Sequence, residues 1–327
     1  MKKRTLAAAA LLAITTSLAA CSADSGSGNN NEKLTIGIIG ISSDAAIQTA
    51  IDEGYFKEEG LEVVTTVVAN PPAGIAAAQS GQLDVAYTPS IPLLNALSQD
   101  VKLSVIAAAD GYAEGAVDSM ESDSVDDTGL YIQPDSGISR ARDLAGKKIA
   151  VPARKAQIEV TVADMVEKDG GNPESINWMV LDPASSLQSL QQGRVDAAGL
   201  VAPFTNNAKS EGMELLGSPG VEFFEDGAVG LWVAGAGQVS GDGERMAAFQ
   251  RAIYKANAYA NENMEEMKSK AAEITGIDLE TIKNGADSYW PTEVDIADLQ
   301  RVDAKLAKLG YLKQEVGLDE SLIFESE

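Results

Sequence analysis

The chain has 327 residues, 45% of them hydrophobic, and carries 49 acidic against 25 basic residues for a formal charge of −24. A field of that sign repels nucleic acid and anionic lipid surfaces, so neither is expected as a partner. It has no histidine and one cysteine, Cys21. This removes Ser-His-Asp and Cys-His triads, histidine-ligated metals and any disulfide within the chain. No catalytic residue, cofactor or metal is therefore expected, and the length allows two domains of ordinary size.

The chain opens on Met1-Lys-Lys-Arg4 and an apolar stretch to residue 20, which reads as a secretory signal peptide over residues 1–20. Leu18-Ala-Ala-Cys21 resembles the bacterial lipobox, in which the cysteine becomes the lipidated first residue. Residues 21–32 then form a lipidated cysteine and a flexible Ser/Gly/Asn-rich tether. Removing Lys2, Lys3 and Arg4 leaves 22 basic against 49 acidic residues, a charge of −27. An anionic ligand would therefore have to be held by local donors.

A first strand is expected over 34–39, followed by Ser42-Ser-Asp44 as a helix cap. A second strand spans 62–68, and Asn70-Pro-Pro72 breaks the chain before the next helix. Residues 102–107 are a further strand, and the acidic run 118–127 reads as a surface crossover. The second half opens at 129–134, with a helix from 157 to 169 and a strand at 177–181. The stretches 213–216 and 229–233 close the second half. From Gly243 the pattern changes to long amphipathic helices, 246–261 and 296–309, which are expected to pack back on the first half.

Two stretches repeat one design. Residues 75–89 and 187–201 match at a shift of 112, pairing Gln79 with Gln191, Gly81 with Gly193, Asp84 with Asp196 and Ala86 with Ala198. Each is a helix stopped by a glycine, a turn with one Asp, and a small apolar strand running toward a proline. Two similar α/β lobes with a cleft between them follow from this: residues 33–125 plus 235–327 as lobe 1, and 126–234 as lobe 2. Asp84 and Asp196 sit where they bond backbone turns, and Arg140, Arg142, Lys147 and Lys148 read as solvated.

The run Gly54-Tyr-Phe-Lys-Glu-Glu-Gly-Leu-Glu-Val63, with Gly81-Gln-Leu-Asp-Val85, Asp143-Leu-Ala-Gly-Lys-Lys-Ile-Ala-Val-Pro152 and Gly193-Arg-Val-Asp-Ala-Ala198, resembles solute-binding proteins of the nitrate/sulfonate/taurine group. That group also includes binders of thiamin-precursor pyrimidines. The resemblance implies a type II periplasmic-binding-protein clamshell, an α/β fold with a mixed sheet in each lobe. It implies a monomer, held at the membrane through its N-terminal lipid only, that captures a small molecule and delivers it to the permease subunits of an ABC importer.

Family contacts lie on loops at strand ends and helix N-termini, where free N–H groups favour oxyanions. By position these are Ser42, Ser43 and Asp44; Thr88 and Ser90; Arg154, Lys155 and Gln157; and Pro203 and Phe204. Trp232 either stacks on a ligand ring or belongs to the core. After Val151-Pro152 sulfonate binders usually carry a small Gly/Ser turn, whereas this chain has Ala153-Arg-Lys-Ala156. Arg154 either grips a carboxylate or sulfonate in bidentate fashion or is solvated at the rim. The expected ligand is a small anion, with a pyrimidine or other small heterocycle as the alternative. A carboxylate-pair hydrolase and a purely structural surface lipoprotein are more distant readings.

Overall fold

The computed structural model describes residues 33–118 and 122–325. Its ten strands are β1 (Lys33–Ile38), β2 (Glu62–Val67), β3 (Val85–Pro89), β4 (Leu103–Tyr112), β5 (Thr128–Ile132), β6 (Lys148–Val151), β7 (Asn177–Val180), β8 (Ala197–Val201), β9 (Glu214–Gly217) and β10 (Gly227–Gly235). They form two five-stranded sheets, ordered β2-β1-β3-β10-β4 and β7-β6-β8-β5-β9. In each sheet the first three strands are parallel and the fourth is antiparallel to its neighbours. This is the two-lobed clamshell, each lobe a mixed sheet flanked by helices.

The repeat explains the matching order. Gly81 and Gly193 adopt φ values of +73° and +65°, the left-handed turn that glycine takes at least cost. Each is followed by a buried strand, β3 or β8. The structure extends the repeat backward, since Asn70 and Asp182 both cap a helix that starts with proline (Pro71–Gln79 and Pro183–Gln191). Their side chains accept the backbone N–H of Ala73 and Ser185 at 3.0 and 2.9 Å. Proline in the first helical turn costs nothing there, because that N–H has no partner inside the helix.

Both faces of the first sheet are covered. One carries Leu34, Ile36, Ile47 and Phe56 against Phe249 and Ile253 of the helix Gly243–Glu262. The other carries Val105, Leu231 and Val233 against Ile296 and Leu299 of the helix Ile296–Lys308. The long C-terminal helices thus pack on the first sheet as their periodicity predicts. Ile149, Val151, Val162 and Val166 form a core on one face of the second sheet, and Leu187, Leu190, Ala198 and Leu200 one on the other.

One boundary differs from the sequence expectation. Residues 229–233, read as closing the second lobe, lie in β10, between β3 and β4 of the first sheet. An isolated apolar run does not say which of two sheets it joins. The crossover ending at 127 is also no simple surface segment. Asp126 is 3% exposed, and its carboxylate accepts Tyr112 Oη (2.9 Å), Thr128 N (2.9 Å), Thr128 Oγ1 (2.7 Å) and Val221 N (2.9 Å). It ties together the outgoing strand, the incoming strand and the helix Pro219–Phe224 that leads back.

Candidate functional site

Between the two sheets, at the carboxyl ends of β1, β3, β6 and β8, lies a cavity of about 470 Å3. That is the crevice position at which open α/β sheets take ligands, and the volume suits a small organic molecule.

The first-lobe wall begins at Gly40, whose φ of +73° turns the chain out of β1. Asp44 folds back beneath this loop and accepts Gly40 N at 2.7 Å and Ile41 N at 3.1 Å. Burial pushes the Asp44 carboxyl up to about 6; the loop N–H groups oppose the shift and Asp110 adds to it. Ser43 Oγ and Tyr87 Oη both donate to Asp110 Oδ2, at 2.6 and 3.0 Å. Burial raises the Asp110 carboxyl too, against these two hydroxyls and the N–H of Gly230. Glycine is required at 230, since a Cβ there would meet Asp110 Oδ1 at 2.3 Å. Trp290 Nε1 fixes the loop from behind by donating to Ser43 O at 2.8 Å.

The second-lobe wall is built differently. After β6, Glu159 accepts Arg154 Nε at 2.5 Å, Lys155 N at 3.0 Å and Tyr311 Oη at 3.1 Å. Gln157, Ile158, Val201, Ala202, Pro203 and Asn206 complete this side. Asn206 Nδ2 donates to Thr281 O at 3.0 Å, which joins the lobes along one edge of the cleft.

The floor is the crossover. Asp127 is exposed and lines the cavity. Burial, then repulsion from Asp126 and Asp110, pushes its carboxyl up to about 7. Beyond the floor, Tyr289 and the Lys268–Asp287 ion pair (2.5 Å) line the C-terminal side.

Of the residues singled out from sequence, Ser42, Ser43, Gln157 and Pro203 meet in the cavity lining. Asp44 lies buried behind them. Thr88 and Ser90 are fully buried; Thr88 Oγ1 donates to Pro89 O at 3.1 Å, and Ser90 Oγ has no partner among the described residues. Arg154 and Lys155 are exposed and are not among the lining residues; Glu159 takes the Arg154 guanidinium and the Lys155 backbone N–H. Phe204 packs on the second-lobe core. Trp232 is 3% exposed, edge-on to Tyr87 at 5.8 Å and to Phe249 at 6.0 Å, so its ring serves the core. Cys21, with the signal and tether, lies outside the described residues.

Tyr87, Asp110, Asp127 and Tyr289 line the cavity without having been singled out. A signal existed for Asp110, an acid that ends the apolar run Val105-Ile-Ala-Ala-Ala109 inside a strand. Asp127 was hidden in an acidic run, and nothing local marks Tyr289. Among the described residues there is no group of three or more Cys, Asp or Glu arranged to hold a metal ion, and no helix long and apolar enough to cross a membrane.

A family model described as NMT1/THI5-like matches residues 43–267. A binding protein of Brucella abortus is 26% identical over 165 residues, 49% of this chain and 44% of that protein. The match therefore spans less than half the length of that relative. The taurine-binding periplasmic protein of Escherichia coli K12 is 25% identical over 244 residues, covering 72% of this chain and 71% of the relative. Among solved structures, the periplasmic aliphatic sulphonate binding protein of Escherichia coli superposes with a TM-score of 0.71 at 16% identity, covering 87% of this chain and 94% of that one. At that identity the likeness is one of fold.

Proposed function

The chain belongs to the NMT1/THI5-like family, and on that premise we propose that it is the extracytoplasmic substrate-binding lipoprotein of an ABC importer. It captures one small molecule between its lobes and hands it to the permease, without catalysis. The observation that carries this is the 470 Å3 cavity at the strand ends, walled by both lobes. A cleft with walls on separate sheets closes around a solute when the closed form binds it more tightly. The relatives named for taurine and aliphatic sulphonate support the importer role, as does the absence of histidine from the chain. The anchor is Cys21, for which the small-residue box and the following tether argue.

A small anion of the sulfonate, taurine or nitrate kind is one reading of the ligand. A second, a nitrogen-bearing heterocycle or amine, is favoured by one observation: Asp110 and Asp127 both face the cavity. Native mass spectrometry of protein purified without extensive dialysis tests the binding role. A stoichiometric adduct of small mass, lost on unfolding, is expected. The role fails if no adduct is found and the stripped protein takes up nothing from a small-molecule extract.

A further inference from the structure

We infer that the solute carries a cationic nitrogen, an ammonium or a protonated amino-heterocycle, whose N–H groups are received by the carboxylates of Asp110 and Asp127. The inference rests on the reading of the cleft as a solute site and specifies the chemistry of that same site.

Three observations support it. The charged side chains that line the cavity are Asp110, Asp127, Asp287 and Lys268, and the last two are engaged with each other at 2.5 Å. Among the described residues the lining therefore offers two carboxylates and no unengaged cation. An anion placed there meets like charge in a chain whose formal charge is already −24.

Several of the loop donors that a crevice would offer an oxyanion are already occupied. In the first lobe Asp44 takes the N–H groups of Gly40 and Ile41. In the second lobe Glu159 takes the N–H of Lys155 and the guanidinium of Arg154. In each lobe the chain thus turns a carboxylate of its own onto loop N–H groups after the strand.

The third observation is the way Asp110 is held. Ser43, Tyr87 and the backbone N–H of Gly230 converge on it, and a side chain at 230 would collide with it. Such a carboxylate is a preorganised acceptor with a fixed direction. Asp127, across the floor, has no ion pair or side-chain donor among the described residues. It stands near Asp126 and Asp110, and repulsion from both raises its proton affinity, so a cation beside it would relieve like charge. Tyr87 and Tyr289 line the same cavity, and the Tyr87 hydroxyl is the one that donates to Asp110. With no metal-holding cluster among the described residues, the cation is organic.

The test is a thermal-shift and calorimetric screen at pH 7.5 in which skeletons are matched and charge alone varies. Benzylamine, 4-aminopyridine and putrescine are set against benzenesulfonate, benzoate, ethanesulfonate and nitrate, within a larger library sorted by charge. Binding is expected to be confined to protonated nitrogen compounds. Asp110→Asn and Asp127→Asn should each weaken the best of them about ten- to a hundredfold, the effect of losing a charge-assisted bond. Melting of the free variants controls for folding, and Asp127, open to the cavity, provides the variant least dependent on core packing. Hits confined to sulfonates, carboxylates or nitrate overturn the inference while solute binding stands. So does an amine held equally well by wild type and both Asn variants. If no compound of either charge binds, the solute-binding reading itself falls.

Discussion

The two sheets share strand order, strand direction and even a capped helix that starts with proline, yet they treat the loops after the matching strands β1 and β6 in opposite ways. After β1 the loop turns its polar side chain inward, so that Ser43 reaches Asp110 in the cleft. After β6 the loop turns its charge outward, where Arg154 is held by Glu159 of the helix that follows. The scaffold is duplicated and the chemistry is not. Architecture is set by features both copies need, such as the glycine turn, the capped proline start and the buried strand. Ligand recognition depends on single residues free to diverge.

The duplicated aspartates offer the sharpest way to break that symmetry, and the largest effect. Asp84 accepts Thr35 N at 2.7 Å, Thr35 Oγ1 at 2.6 Å and Gln238 Nε2 at 2.7 Å, with Arg245 at 3.7 Å. Asp196, its counterpart, accepts Lys148 N at 2.8 Å. Each pins the start of the neighbouring strand, as their turn position implied. Asp84→Ala should cost roughly 2–3 kcal/mol, because several partly buried donors lose their acceptor, and Asp196→Ala about 1 kcal/mol. Urea unfolding of both variants measures the difference. Equal costs would mean that the two copies carry equal weight after all.

This contrast also explains what the sequence revealed. The repeat was legible because helix caps, left-handed glycines and buried strands are local and leave a pattern in neighbouring residues. Ser42, Ser43, Gln157 and Pro203 were legible because loops at strand ends face the crevice in any such fold. For Arg154 both a ligand contact and a solvated rim position were open, and the ion pair with Glu159 was not legible because it depends on how the first turn of a helix sets. Asp110, Asp127 and Tyr289 come from a strand end, a crossover and a C-terminal segment whose meeting is purely tertiary. The same holds for β10, whose residues enter the first sheet only because the return through Pro219–Phe224 carries them there.

A second prediction contrasts the acids of the floor with their surroundings. The carboxyl of Asp127 is raised to about 7 and that of Asp44 to about 6, both chiefly by burial. A carboxyl that holds its proton more tightly folded than unfolded makes the folded chain bind more protons between its ordinary value of 3.8 and the raised one. Stability from these groups therefore falls as pH rises through that window, and the penalty is fully present above about pH 7. Asp127 is exposed to the cavity, so solvent screens part of this penalty; Asp127→Asn should raise the melting temperature of the free protein at pH 8 by no more than about 2 °C and flatten its dependence between about pH 5 and 8. Melting curves of ligand-free wild type and variant across that range are the measurement. A variant less stable at pH 8 would show that the Asp127 charge is compensated in the free protein.

The smallest expected effect separates the two loops directly. Arg154 stands where a crevice loop of this fold would contact an anion, and its guanidinium is half exposed while Glu159 beneath it is buried. Removing the arginine leaves Glu159 with Lys155 N and Tyr311 Oη, so its charge keeps two donors. Arg154→Ala should therefore cost no more than about 1 kcal/mol of stability, as half-exposed pairs do, and leave solute affinity within about twofold of wild type. Ser43→Ala, at the matching place in the other lobe, takes a hydroxyl from Asp110 and should weaken binding of the best amine about three- to tenfold. Calorimetry on the two variants in parallel decides between the loops. A loss of affinity in Arg154→Ala as large as that in Ser43→Ala would place the arginine in contact with a bound anion, and the difference between the lobes would then be one of the ligand-free state alone.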